Sequence, residues 1–348
     1  MTRSGAALRS FWRSIIGAAA LAALPAFAQG QTGEEFFKTH ALTMYVGSGA
    51  GGGYDVLARI VAHHLTRFLP GNPKFVIKNI PGASGVESAN FLFNTAPKDG
   101  SAILAGTNTS LVLPLYGASV AHYDPRKFEW IGSTDKMQAV CVTWRGVPVK
   151  TLQDAQSRQA TVGATGVSAG PGVYPRLLNA FLGTKFKIIS GYDTSGMRLA
   201  MEKGEIDGIC GLSWQTYKYI SPDWIRDRKL NVIVQMGLEK NPDLQSVPMA
   251  IDMLKKPDDR KVLELIVLPQ EFGRPFVAPP GVPPDRMAVY RKAFQAMLRD
   301  KDFLADVAKV RGNVEALDDK QIMGLLNRAY AAPKAIRDRA AVYAAEMN

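Results

Sequence analysis

The chain has 348 residues, of which 47% are hydrophobic and 21% charged, a balance that can bury a globular core and argues against a disordered protein. Its formal net charge is +11. Such an excess could attract nucleic acid, but no stripe of basic and aromatic residues accompanies it, so we expect no nucleic-acid partner. A basic surface that concentrates small anions, or one with no special role, fits the composition equally well.

The first residues of the chain have the pattern of an export signal. Arg3, Arg9 and Arg13 form a basic segment, a continuous apolar stretch follows over 15–24, and the small-residue pattern Ala-Phe-Ala ends at Ala28. This order predicts a signal peptide over 1–28, cleaved after Ala28, and a periplasmic protein. The alternative is a membrane anchor, which needs about 20 apolar residues.

Short apolar runs alternate with amphipathic segments along the rest of the chain, as in proteins built of βαβ units. Strands are predicted over 42–46, 74–80, 102–106, 130–134, 139–144, 160–164, 186–190, 206–212 and 230–236. Helices are predicted over 54–68, 151–157, 172–182, 196–203, 261–268, 285–300, 301–310 and 320–339.

The arrangement of these elements predicts two lobes. The stretch from 139 to 236 reads as a second unit inserted into the first, with crossings near Thr134 and Gly237 that would act as a hinge. We therefore assign 29–135 and 237–348 to lobe 1 and 136–236 to lobe 2.

The loop between the first strand and the first long helix is the most informative segment. Five of the seven residues over 47–53 are glycine. Glycines leave backbone N–H groups unshielded, and the N-terminus of a helix carries partial positive charge, so the segment is suited to hold an anion. The alternative is a flexible surface loop.

A nucleotide is a poor candidate for that anion. Gly47, Gly49 and Gly52 match the spacing G-x-G-x-x-G, but the next strand ends at Asn79 instead of at an acidic residue. No glycine loop is followed by Lys and Ser or Thr, which excludes a Walker phosphate loop. A small carboxylate fits a site made of donors better, and no cofactor is predicted.

Few residues support catalysis or metal binding. His40, His63, His64 and His122 lack metal-ligand spacing with Cys, Asp or Glu. The sequence therefore predicts neither a metal site nor an enzyme.

The two cysteines, Cys141 and Cys210, both lie in apolar, strand-like runs. An oxidising compartment would permit a disulfide between them, and two buried thiols are the alternative. Spacing alone does not decide between the two.

Several segments in order resemble the solute receptors of tripartite tricarboxylate transporters, also called Bug-type binding proteins. The resemblance is carried by 42–59 (LTMYVGSGAGGGYDVLAR), 77–85 (IKNIPGASG), 96–100 (APKDG), 104–107 (LAGT), 204–208 (GEIDG), Val247-Pro248 and 276–284 (FVAPPGVPP). It covers nearly the whole chain after the predicted signal peptide.

The resemblance implies an α/β fold of the type II periplasmic-binding-protein class, with two Rossmann-like lobes joined by two crossover strands and a ligand cleft between them. It also implies capture of a carboxylate by main-chain N–H groups, delivery to a membrane permease, and a monomer. The first-lobe residues implied are Ser48, Gly49, Ala50, Gly51, Gly52, Tyr54, Asp55, Thr107 and Asn108. Those of the second lobe are Thr165, Ser168, Ala169, Gly170, Tyr192, Asp193, Thr194 and Trp214.

Three of these side chains have alternative interpretations. Asp55 and Asp193 could be N-caps of their helices instead of ligand contacts. Trp214 could be a stacking wall for a flat ligand or part of the core.

The sequence departs from the family's pattern at Ile80, at 190–194 (SGYDT) and at Ser213-Trp214. These departures bear on which carboxylate is bound. A sensory co-receptor and a periplasmic enzyme with the same cleft are the alternative functions.

Overall fold

The computed structural model describes residues 32–344, so the predicted signal peptide lies outside the described residues. The strands in this range are β1 Leu42–Val46, β2 Phe75–Asn79, β3 Ala102–Ala105, β4 Glu129–Ser133, β5 Ala139–Trp144, β6 Gln159–Ala164, β7 Lys185–Ser190, β8 Gly208–Ser213, β9 Leu230–Met236 and β10 Pro275–Ala278.

The α-helices of the first half are α1 Gly33–Thr39, α2 Gly53–Leu65, α3 Val86–Asn94, α4 Asn108–Val112, α5 Leu152–Ser157 and α6 Gly170–Leu182. Those that follow are α7 Thr194–Lys203, α8 Trp214–Ile220, α9 Pro222–Arg226, α10 Pro257–Val267, α11 Pro284–Met297, α12 Lys301–Lys309, α13 Asp319–Tyr330 and α14 Lys334–Ala344. Within 32–344, no helix is both long enough and apolar enough to cross a bilayer.

The strands form two five-stranded sheets with the same topology. The first sheet has the order β2-β1-β3-β10-β4, and the second has the order β7-β6-β8-β5-β9. In each, three parallel strands are followed by an antiparallel strand: β10 beside β3 in the first sheet and β5 beside β8 in the second. This confirms the predicted α/β fold of two lobes.

The chain passes between the sheets twice, from β4 to β5 and again between β9 and β10. The strands of the first sheet come from 42–133 and 275–278, and those of the second come from 139–236. The lobe boundaries after residues 135 and 236 stay a prediction.

Burial on both faces explains why these segments form the sheets. Every residue of β1 except Thr43 is buried, and all of β3 is buried, as expected of parallel strands covered by helices on both sides. Helix α2 packs onto the first sheet through Leu57, Val61 and Leu65, which recur at every fourth position and so lie on one helix face.

The two cysteines face each other on neighbouring antiparallel strands. Cys141 of β5 lies opposite Cys210 of β8, and the structure joins them in a disulfide. The sequence left this pairing open, because nothing in it shows that β5 and β8 are neighbours.

One predicted helix differs from the structure, and several elements were not predicted, namely α1, α3, α4, α8, α9 and β10. The predicted helix over 320–339 is two helices, because Pro333 follows α13 and disfavours helical geometry in the residue before it. The sequence did not predict β10, a four-residue strand between Arg274 and the proline-rich loop. So short a strand shows no alternation of apolar and polar residues.

Candidate ligand-binding cleft

A cavity of about 660 Å³ lies between the two lobes. Its walls are the loops that follow β1, β2 and β3 in the first sheet and β6, β7 and β8 in the second. The carboxyl ends of parallel strands are where open α/β sheets bind ligands, because the loops and helix N-termini meet there. The cavity therefore lies where folds of this kind usually bind their ligands.

Most of the predicted site residues reach this cavity. Its lining includes Ser48, Gly49, Tyr54, Thr107, Asn108, Thr165, Ser168, Ala169, Gly170, Tyr192, Asp193 and Thr194. The predicted residues that do not line it are Ala50, Gly51, Gly52, Asp55 and Trp214.

The Asp55 carboxylate stabilises the glycine loop without lining the cavity. Its carboxylate accepts hydrogen bonds from Gly51 N at 2.9 Å, from Arg59 Nε at 2.9 Å and from Asn79 Nδ2 at 2.8 Å. Burial opposes ionisation of Asp55, but these bonds outweigh it and lower the pKa of the carboxyl. The N-cap of α2 is Gly52, so the interpretation of Asp55 as N-cap is wrong.

Asn79 connects the loop to the end of β2. Besides its bond to Asp55, Asn79 Nδ2 donates to Ser48 O at 2.9 Å. Asn79 stands where a dinucleotide-binding site would have an acidic residue, and here it stabilises the glycine loop.

A left-handed turn follows β2 at the cavity wall. Ala83, Ser84 and Gly85 have φ angles of 47°, 59° and 96°. Left-handed geometry is costly for residues with a Cβ, by about 1–3 kcal/mol each, and such residues concentrate at ligand clamps. The sequence shows this turn as its Gly-Ala-Ser-Gly segment, which was not among the predicted site residues.

The loop that begins α6 lies against β8. Gly211 has a φ of +123°, and a Cβ there would lie 2.5 Å from the carbonyl carbon of Gly170. Because neither residue has a side chain, the first turn of α6 rests directly on the strand. This contact fixes the position of the second-lobe loop.

Three of the helices that begin at the cavity lack a side-chain N-cap. The N-caps of α2, α3 and α6 are Gly52, Gly85 and Ala169, which offer no side-chain hydrogen bond. The first N–H groups of a helix need partners outside it, and a bound anion can supply them.

The other second-lobe helices at the cavity are already capped. Asp193 Oδ1 accepts from Gly196 N at the start of α7, and Ser213 Oγ accepts from Thr216 N at the start of α8. Asp193 is therefore an N-cap that also lines the cavity.

The lining contains little charge. Among the described residues, no Lys, Arg or His lines the cavity, and Asp193 is the lining carboxylate. No described group of three or more His, Cys, Asp or Glu could hold a metal ion. An anion in this cavity would be held by main-chain N–H groups and hydroxyls.

Trp214 is part of the protein core and does not line the cavity. It is 7% exposed, belongs to the core beside the second sheet, and donates through its indole Nε1 to Asp243 at 3.1 Å. The interpretation of Trp214 as a wall for a flat ligand therefore does not fit the structure.

Sequence reasoning missed the residues at the base of the cavity. Met137 comes from the first crossing, Ala139 from the start of β5, Gln270 from the segment after α10, and Tyr174 from α6. Gln270 joins the lobes, since its Oε1 accepts from Ala139 N at 2.7 Å and its Nε2 donates to Tyr174 Oη at 2.8 Å. No motif marks these residues.

The lobes also meet at two glycines that line the cavity. A Cβ at Gly166 in the second lobe would collide with Ser84 Oγ in the left-handed turn of the first. A Cβ at Gly53, the first residue of α2, would lie 2.8 Å from Thr216 Oγ1 of α8. The two halves of the cleft are therefore in close contact at these glycines.

The sequence matches no family model. It is 25% identical over 301 residues to the UPF0065 protein in the gbd 5′ region of Cupriavidus necator, a match that covers 83% of both chains.

Solved structures share the fold. The periplasmic binding protein BugD superposes with a TM-score of 0.70 at 19% identity, over 88% of this chain and 99% of BugD. An adipate-bound protein from R. palustris gives 0.68 at 16% identity over 88% and 99% of the two chains. MatC from Rhodopseudomonas palustris, with bound malate, gives 0.65 at 19% identity over 86% and 98%.

Proposed function

Because the chain is a homologue of the UPF0065 (Bug/TctC) proteins, we propose that it is a periplasmic receptor that captures a small organic carboxylate without transforming it. Two solved proteins with this fold hold carboxylates, adipate in one and malate in the other. The observation that carries the proposal is the pair of helices α2 and α6, which begin at one cavity without side-chain caps.

The carboxylate is bound by neutral donors. In a cavity away from bulk water, main-chain N–H groups and helix N-termini stabilise an anion without a cationic side chain. Without the three arginines of the predicted signal peptide the net charge is 11 − 3 = +8, and this excess raises the concentration of anions around the protein and so favours their encounter with the cleft.

Closure of the lobes retains the ligand. Contacts that both lobes make with one molecule favour the closed arrangement over the open one, and segments 134–138 and 237–274 between the sheets act as the hinge. The closed receptor then docks, as a monomer, on a permease of the tripartite tricarboxylate type.

A thermal-shift screen tests the ligand class. Protein from Gln29 onward is unfolded and refolded to remove bound ligand, and is then mixed with organic acids, sugars and nucleotides. A ligand that binds only the folded protein raises Tm by mass action. We expect shifts with carboxylic acids, and shifts confined to sugars or nucleotides would overturn the proposal.

A pair of variants tests the second-lobe loop. Thr165 lines the cavity, whereas Thr161 lies on the preceding strand, β6, outside the lining. Thr165→Val removes one hydroxyl donor and should weaken binding of the best acid about tenfold, the effect of one lost hydrogen bond to a charged group. Thr161→Val should leave the affinity unchanged, and equal effects of the two variants would remove Thr165 from the site.

A further inference from the structure

We infer that the ligand carries its carboxylate on an aromatic body, which makes the protein a receptor for aromatic acids and not for compact dicarboxylates. This inference rests on the proposed carboxylate-binding function. It is carried by the size of the cavity and by the chemistry of the walls beyond the glycine loops.

The cavity is larger than a short dicarboxylate requires. Its volume of about 660 Å³ lies within the range of about 300–1,000 Å³ that holds drug-sized ligands. A four-carbon diacid would leave most of this space to water, so that the remaining walls would contribute nothing to its affinity.

The ring of Tyr54, and not its hydroxyl, is available to a ligand in the cavity. Tyr54 Oη donates to Asn108 Oδ1 at 2.8 Å and also contacts Gly273 O at 3.3 Å. Burial raises the pKa of Tyr54 to about 12, although nearby Arg274 partly opposes the rise, so the hydroxyl remains a neutral donor. With the hydroxyl directed to protein partners, the ring is the surface left for a ligand.

Tyr174, in the second lobe, also directs its hydroxyl to a protein partner. Its hydroxyl accepts from Gln270 Nε2 at 2.8 Å, and burial raises its pKa above the usual value. Both tyrosines line the cavity, but Tyr54 is half-buried whereas Tyr174 is only 3% exposed, so a ligand would contact mainly the ring of Tyr54.

Aliphatic side chains add further apolar surface to the lining. Val86 belongs to the first lobe, Met137 to the first crossing, and Val167 and Leu212 to the second lobe. An aromatic ring fits such walls because it buries a large apolar area and gains further from edge-to-face contacts with a tyrosine ring.

Calorimetric titration of refolded, ligand-free protein tests the inference with matched acids. Benzoate and 2-naphthoate are compared with cyclohexanecarboxylate, which has the size of benzoate without its π-system, and with succinate and malate. We expect benzoate to bind about tenfold tighter than cyclohexanecarboxylate, and 2-naphthoate to bind tightest. Succinate and malate should bind more weakly than either aromatic acid.

A cavity-filling variant provides the second readout. Leu212→Trp places a larger side chain in the cavity lining and should weaken 2-naphthoate binding at least about tenfold, by a larger factor than it weakens malate binding. Leu199→Trp is the control, because Leu199 is 51% exposed on α7 and does not line the cavity. It should bind 2-naphthoate like the wild type.

The outcomes separate the inference from the function on which it rests. If malate or succinate binds as tightly as the aromatic acids, or if cyclohexanecarboxylate equals benzoate, the inference fails and the carboxylate receptor stands. If none of these acids binds and benzamide does, the proposed function itself is overturned.

Discussion

The guanidinium of Arg274 forms an ion pair with the carboxylate of Asp135 at the base of the cleft, where the two side chains are 2% and 0% exposed. Asp135 lies in the first crossing between the sheets and Arg274 directly precedes β10. Arg274 Nη2 also donates to Thr216 Oγ1 on α8 at 3.1 Å, and its guanidinium lies 4.7 Å from the ring centroid of Tyr219. One side chain thus connects the first crossing to the second lobe.

Breaking this pair should strongly destabilise the protein. Arg274→Met leaves the Asp135 carboxylate buried without its partner, which costs about 3–5 kcal/mol of the free energy of unfolding. The double variant Arg274→Met/Asp135→Leu removes both charges and should lose clearly less than the sum of the single losses. Urea denaturation of the four proteins measures the coupling.

The control is an exposed ion pair. On α14, Lys334 Nζ lies 2.7 Å from Asp338 Oδ2, and the two side chains are 80% and 59% exposed. Lys334→Met should cost at most about 1 kcal/mol. Additive losses for Arg274 and Asp135 would mean that the buried pair is not coupled.

The Asp55 network predicts a specific acid sensitivity. The pKa of Asp55 is lowered in the folded protein, so its stabilising effect is fully present above the usual value of 3.8 and is lost as the pH falls through the lowered pKa. Asp55→Asn should therefore reduce the slope of stability against pH below about pH 4. Denaturation midpoints between pH 2 and pH 6 measure the slope, and an unchanged slope would mean that Asp55 has an ordinary pKa.

The same substitution should weaken ligand binding at neutral pH. In Asp55→Asn the new amide keeps one acceptor oxygen for the three donors that Asp55 now satisfies, so the glycine loop would lose its fixed shape. We expect about a tenfold rise in Kd by calorimetry, with near-native circular dichroism. An unchanged Kd would mean that the loop keeps its shape without the carboxylate.

Contact between the lobes at Ser84 and Gly166 should control closure. Gly166→Ala places a Cβ against Ser84 Oγ, which should hold the lobes apart and lower affinity. Ser84→Gly removes that hydroxymethyl group at a position whose φ of 59° favours glycine, and should restore closure in the double variant. Small-angle scattering with and without ligand reports the change, and failure of Ser84→Gly to restore compaction would place the obstruction elsewhere.

The disulfide should contribute substantially to stability. Cys141 and Cys210 are 69 residues apart in sequence, a loop for which chain entropy predicts about 4 kcal/mol. Cys141→Ala/Cys210→Ala should lower the free energy of unfolding in urea by about this amount. Reductant should not change the urea midpoint of this double variant. If reductant left the urea midpoint of the wild-type protein unchanged, the result would argue against the disulfide.

Local patterns in the sequence predicted the two α/β lobes and the glycine-rich loop of the cleft. The alternation of strand and helix, and the glycine-rich run before α2, are properties of consecutive residues, so they can be read without the structure. Family resemblance added the second-lobe loop, of which Thr165 and Ser168–Gly170 reach the cavity.

The base of the cleft could not be predicted in this way. Gln270 meets Tyr174 from 96 positions away in the chain, and Arg274 meets Asp135 from 139 away. These contacts depend on how the two crossings bring distant segments together. Trp214 shows the opposite error, since a large aromatic beside a predicted site is buried in the core.

The most direct test of the account compares one acid with its own primary amide. The best acid from the thermal-shift screen and its amide have nearly the same shape, so their affinities differ through the charge that the cavity must hold. Calorimetry should give the amide a Kd at least about 100-fold higher, a difference of about 2.7 kcal/mol. Equal affinity of acid and amide would contradict the central claim that α2 and α6 hold a carboxylate.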